Sequence, residues 1–240
     1  MCAFFIIEGK LQSSQTKYYT KLVLFGIIVN NMISAGLLWV RAGQKKGVRS
    51  MSTNLAYQEE RWEELIGGKV VAMSPRPSVD HNRVAFNIAV LFDRYLKGRK
   101  CTPFADGTDL YLTEQDRFIP DVMVVCDPDK IKHDGVHGAP DLVVEVLSPG
   151  TAKNDKTHKK DIYARCGVRE YWLVGPSDKF VEVYRNDGTD FVLHDIYTLH
   201  PDWMLARMSE EERSSVVTHF KCSLFDDLEI ALEDIFYRTF

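Results

Sequence analysis

The sequence predicts a mixed α/β domain in which one central mixed β-sheet is flanked by helices. Its composition, 45% apolar and 27% charged over 240 residues, suits a globular chain with a core of its own. Short runs rich in Val, Leu and Ile, bounded by Gly, Pro and Asp, recur from residue 62 onward and read as strands. Two segments of helical periodicity interrupt them. No internal repeat or low-complexity linker divides residues 51–240, which read as one domain.

Taken in order, WEELI and KVVAM are β-prone runs joined by Gly67-Gly68, the strongest hairpin signal in the chain. Alternation puts Glu64 on one face with Trp62 and Ile66. From Asp80 to Lys97, Val84, Ile88, Leu91, Phe92, Tyr95 and Leu96 fall at helical spacing, with Asp80 as the expected cap. TDLYL (108–112), FIPDVMVV (118–125) and PDLVVEVLS (140–148) predict three central strands. A helix from about Asn154 to Cys166 follows, stopped by Gly167. EYWLV and KFVEVYR add two strands around a GPSD turn, and the tail predicts a weak helix near Ser209 and a clearer one from Asp226 to Phe236. The five cysteines stand singly in or near apolar stretches, which predicts reduced core thiols in a cytoplasmic protein.

The first fifty residues differ in kind. They hold seven basic side chains and one acidic one, which leaves 23 basic and 33 acidic residues, a net of −10, for residues 51–240. So acidic a domain is a poor general binder of nucleic acid, and a phosphate backbone must meet a local basic group, a bound cation or a second subunit. Residues 22–40 are uncharged and long enough to span a bilayer, although Asn30, Asn31 and Ser34 weaken their centre. We read residues 1–50 as an extension upstream of a natural start at Met51, with a membrane anchor through 22–40 as the alternative.

The chemistry rests on two carboxylates inside apolar runs, Asp121 in FIPDVMVV and Glu145 in DLVVEVLSP. An ionised carboxylate on a buried strand is costly unless a cation or hydrogen bonds offset it. Mg²⁺, with Mn²⁺ as a substitute, prefers such oxygen ligands and keeps waters for a phosphate substrate. Asp141 competes with Asp121, but four strand residues put it about 13 Å from Glu145, too far to share a small ion. A lysine is also needed to meet the phosphate or the attacking water. Lys159 lies three, four and seven residues before Ile162, Tyr163 and Cys166, on the helix stripe that should face the sheet, whereas Lys160 points about 100° away.

The segments WEELIGGKVVAMSPRPSVDHNRV, GTDLYLTEQDRFIPDVMVV, APDLVVEVLSPGT and KKDIYARCGVREYWLVGP together resemble the Uma family of candidate restriction endonucleases, a branch of the PD-(D/E)XK nuclease superfamily. The resemblance covers most of residues 57–176 and implies a restriction-endonuclease-like fold with catalytic residues matching Glu64, Asp121, Glu145 and Lys159. In that reading Asp121, Glu145 and Glu64 hold the metal. Leu147 stands where the superfamily motif expects lysine, so the lysine is Lys159 on the helix; Gly67 replaces a usual acidic turn residue; His81 matches a frequent histidine of the family. The function implied is Mg²⁺-dependent endonucleolytic hydrolysis of DNA, with a homodimer as one way to cut two strands. A catalytically silent domain that binds nucleic acid or a protein is the competing reading, favoured by the acidic charge.

Overall fold

A computed structural model of the chain describes residues 63–73, 76–105 and 107–240. The expectations for residues 1–50, the apolar run 22–40, Met51 and Trp62 lie outside the described residues. Among the described residues no helix is long and apolar enough to cross a membrane.

The hairpin forms as its glycines dictate. Strands β1 (Glu63–Ile66) and β2 (Lys69–Ala72) pair antiparallel with Ile66 opposite Lys69, and both Gly67 and Gly68 have positive φ. That is the backbone a two-residue hairpin turn requires and that side-chain-bearing residues resist. Helix α1 (Val79–Leu96) buries Val84, Ala85, Ile88, Phe92 and Leu96. Its cap is Ser78, whose Oγ accepts the His81 N–H, and not the expected Asp80, which sits inside the first turn and accepts the Phe240 N–H. A hydroxyl one residue before the helix reaches the third-position N–H, which an acid already inside the helix cannot do. Ser78→Ala should therefore cost about 1 kcal/mol, a thermal-melt shift of about 2–4 °C for a domain of this size. An unchanged melting temperature would show that the cap contributes nothing.

Strands β3 (Thr102–Ala105), β4 (Leu110–Thr113), β5 (Asp116–Phe118), β6 (Val122–Val125), β7 (Ile131–Lys132), β8 (Gly135–His137) and β9 (Leu142–Val146) follow α1. Helix α2 then runs from Ala152 to Cys166, α-helical at each end and π-helical over Asp155–Lys159. It ends at Gly167 in the left-handed conformation, as expected. β10 (Glu170–Gly175), β11 (Phe180–Asn186), β12 (Phe191–Thr198), α3 (Asp202–Leu205), α4 (Glu210–Ser214), β13 (His219–Lys221), β14 (Glu229–Ala231) and α5 (Leu232–Ile235) complete the described chain.

These strands form two six-stranded sheets where the sequence suggested one, with orders β2-β1-β5-β4-β8-β7 and β12-β11-β10-β9-β6-β3, besides the β13-β14 pair. Both six-stranded sheets are mixed, through the parallel pairs β4/β8 and β9/β10. The run FIPDVMVV is not one strand. Pro120 donates no backbone hydrogen bond, so the chain leaves the first sheet at Phe118 and enters the second at Val122. The predicted Asp226–Phe236 helix shrinks to α5, because Ile230 is buried on a strand paired with Phe220.

Alternation along the central sheet sorts its side chains into two cores. Val122, Val124, Leu142, Val144, Trp172 and Val174 face α1 and the C-terminal segment, while Met123, Val125, Val143, Tyr171 and Leu173 face α2 and the first sheet. The same alternation corrects the cysteine expectation. Cys101 and Cys126 flank the paired positions Thr102 and Val125 on β3 and β6, which brings them face to face, and they form a disulfide. Cys166 and Cys222 are free thiols.

Candidate active site

The central sheet sets its two carboxylates by register. Val122 pairs with Val144 and Met123 with Val143, so the next position along places Asp121 opposite Glu145, on the face that meets α2. Asp121 thus sits at the mouth of β6, in the link after Pro120, and its Oδ2 accepts the Val146 N–H at 2.7 Å. Glu64 arrives from the other sheet. Leu65 pairs with Arg117 on β5, and Glu64 Oε1 accepts the Ile119 N–H at 3.1 Å, fastening the hairpin to the link that carries Asp121.

Lys159 closes the arrangement from α2. Its Nζ lies 2.8 Å from Glu64 Oε1, 3.2 Å from Glu145 Oε1 and 3.5 Å from Asp155 Oδ1. The cluster is buried: Glu64, Asp121, Glu145, Asp155 and Lys159 are exposed by only 5%, 9%, 3%, 1% and 3%. Phe118 underlies it, with Lys159 Nζ 5.7 Å from the ring centroid. Lys160, one residue on, turns away and holds its ammonium 4.1 Å from the Tyr184 ring.

All four residues expected from the sequence, Glu64, Asp121, Glu145 and Lys159, are thus brought together. Asp141 is not among them; it accepts the Cys126 N–H and pairs with Arg169. Two members of the cluster were not anticipated in these roles. Asp155 stands four residues before Lys159 within the charged run NDKTHKKD, and that spacing is the one signal that could have marked it. Tyr163, expected only as packing, donates its hydroxyl to Glu145 Oε1 at 2.9 Å. His81, in the first turn of α1, brings Nε2 to 3.4 Å from Asp121 Oδ2.

Burial works against the charged form of Lys159, but Glu145, Glu64 and Asp155 outweigh it and hold the ammonium's pKa above the ordinary lysine value. Burial pushes the Glu145 carboxyl well up; Lys159 opposes that, and Asp155, Asp121 and Glu64 add to it. Asp155 is raised for the same leading reason, again against Lys159. Three buried carboxyl groups meet the one ammonium and Asp121 lies beside them, and their hard oxygens are the donors Mg²⁺ takes. Among the described residues they do not form a ready-made cage, because Lys159 occupies their point of convergence. The donor chemistry fits a divalent cation, provided that Glu145 exchanges the ammonium for the ion. A cleft of about 200 Å³ opens beside the cluster, lined in part by Glu64, Gly150, Thr151, Asn154, Asp155 and Lys159.

Comparison with known proteins agrees with this architecture. A structure from Anabaena variabilis ATCC 29413, described as "a putative nuclease belonging to DUF820", superposes with a TM-score of 0.55 at 20% identity, over 74% of this chain and 90% of that one. At that identity the likeness concerns the fold, a mixed α and β architecture of the class expected above. Two proteins of Synechocystis sp. are similar in sequence, both described as uncharacterized. The first is 32% identical over 146 residues, 58% of this chain and 75% of its own; the second is 30% identical over 129 residues, 52% and 72%. The model of the Uma2 family, "Putative restriction endonuclease", matches residues 50–214. With most of its described fold inside that match, the chain belongs to the Uma2 family.

Proposed function

We propose that the chain is a metal-dependent nuclease that hydrolyses DNA phosphodiester bonds, with Glu64, Asp121, Glu145 and Lys159 as its active site. The observation that carries this reading is a buried cluster of acids converging on one lysine beside an open cleft. The family description and the fold likeness support the nuclease part; the metal and DNA are inferred from the donor set and from the chemistry such a set performs.

Asp121 and Glu145 would hold Mg²⁺ or Mn²⁺, with Glu64 beside them. When bound, the ion lowers the pKa of a coordinated water and draws charge from the phosphate oxygens. The chain's residues do the rest. The Val146 N–H keeps Asp121 aimed at the shared point. Tyr163, donating to Glu145, fixes that carboxylate's rotamer. Lys159, whose ammonium points into the carboxylate cluster, is suited to donate hydrogen bonds to the charge that grows on phosphate. Its buried position makes that charge effective, because little water screens it.

Plasmid nicking with the purified protein in Mg²⁺, with and without chelator, tests the proposal. Cleavage that appears with the ion and vanishes with chelator is expected; DNA left intact across a range of Mg²⁺ and Mn²⁺ would refute it. A second reading, a silent nuclease fold that binds a nucleic acid or protein partner, is favoured by the net of −10 over residues 51–240. Retained DNA binding without nicking would select it.

A further inference from the structure

We propose that Asp155 is the positioning residue for Lys159 once the site is loaded, the one carboxylate that keeps hold of the ammonium when the others turn to a cation. The inference rests on the nuclease reading above. A lysine ammonium has three N–H donors, and here it meets three carboxylates, Glu64 at 2.8 Å, Glu145 at 3.2 Å and Asp155 at 3.5 Å. Any cation held by Glu145 and Glu64 competes directly with Lys159 for them. Asp155 is outside that contest.

Asp155 rides on the same helix as Lys159, four residues earlier, so it follows the lysine and not the sheets that carry Glu64, Asp121 and Glu145. The helix is locally π-helical over Asp155–Lys159, a conformation that is rare and concentrated at functional sites. Tyr171 anchors this turn by donating its hydroxyl to the Asp155 carbonyl at 3.0 Å. Asp155 is 1% exposed, yet its Oδ1 makes no hydrogen bond and stands at ionic distance only. A buried carboxylate oxygen left in that state is costly unless another state of the site uses it. Withdrawal of Glu145 and Glu64 from Lys159 supplies such a state, since the ammonium then has a donor free for Asp155.

Asp155→Asn keeps the shape and removes the charge. With Mg²⁺ saturating, kcat for plasmid nicking should fall by about 10- to 100-fold, the scale of a lost supporting partner, with KM for DNA and the Mg²⁺ requirement unchanged. Asp155→Glu should recover part of that loss. A second readout does not depend on cleavage: the Nζ signal of Lys159 in ¹⁵N-lysine NMR, assigned by its absence in Lys159→Met. In the parent this signal should remain protected from water exchange as Mg²⁺ is added, and in Asp155→Asn it should be lost on that addition. Loss of the signal in the parent, or its equal survival in Asp155→Asn, would overturn the proposal. So would a shifted Mg²⁺ requirement at unchanged kcat, which would make Asp155 a metal ligand. A parent that cleaves no DNA would instead sink the nuclease reading and leave the NMR arm to judge Asp155.

Discussion

Glu145→Ala and Asp121→Ala are each expected to abolish cleavage while the domain still folds. Either change removes half of the carboxylate pair that register sets face to face, leaving a cation with too few protein ligands to position it. Losing Glu145 strands the Tyr163 hydroxyl and one contact of Lys159, a cost of about 1–3 kcal/mol, well within the stability of an ordinary domain. Calorimetric titration of Mg²⁺ beside a nicking assay reads both effects. Asp141→Ala is the contrast, since among the described residues the Asp141 side chain serves the Cys126 N–H and Arg169, and it should weaken folding while the remaining folded fraction cleaves normally. Full cleavage by Asp121→Ala together with a folded, dead Asp141→Ala would show the wrong aspartate has been assigned. Because Glu145 and Asp155 ionise above the usual carboxylate range, the acid limb of the rate profile should lie at higher pH than for free carboxylates. It should retreat towards acid as Mg²⁺ is raised, since ion and proton compete for the same oxygens.

Lys159→Met should lower cleavage by a factor on the order of 10² or more, the scale of a lost charge-stabilising group, with Mg²⁺ binding retained. The substitution keeps an apolar side chain at this position and deletes the ammonium that three carboxylates share. Without the ion, leaving those carboxylates unpaired is expected to cost about 3–5 kcal/mol, so the melting temperature of this variant should rise steeply with Mg²⁺. Lys160→Met, which removes a contact with Tyr184 away from the carboxylates, should be nearly silent. A dead Lys160→Met beside an active Lys159→Met would contradict the assignment, and equal mild losses would point to diffuse attraction of phosphate.

What the sequence disclosed follows from how local each signal is. The Gly67-Gly68 hairpin, α1 and the strand around Glu145 are written in contiguous residues, and all three appear. The burial of Lys159 was readable because its helix shows one clear apolar stripe. By contrast, β3 is four residues containing a proline and has no alternation of its own; it exists because β6 offers an edge, and with it went the Cys101–Cys126 pairing. The C-terminal strand β14 hides inside a run that also suits a helix, and only Phe220 across the pair decides it. Asp155 was lost among seven charged or polar neighbours, where burial depends on a π turn that no periodicity at 3.6 residues reports.

The link Ile119–Asp121 has a consequence for how such a chain can vary in length. Three residues connect a strand of one sheet to a strand of the other, with the Glu64 carboxylate tied to its first residue and the acid of the site at its last. One residue added or removed there would leave Asp121 opposite Glu145 but shift Ile119, and with it the tethered Glu64, away from Lys159. The connection between β12 and β13 bears no such constraint, because neither the carboxylates nor the lysine depend on it. Insertions and deletions should therefore collect in residues 199–218 and be absent from 119–121, so the spacing from Phe118 to Val122 is itself a marker of an assembled site.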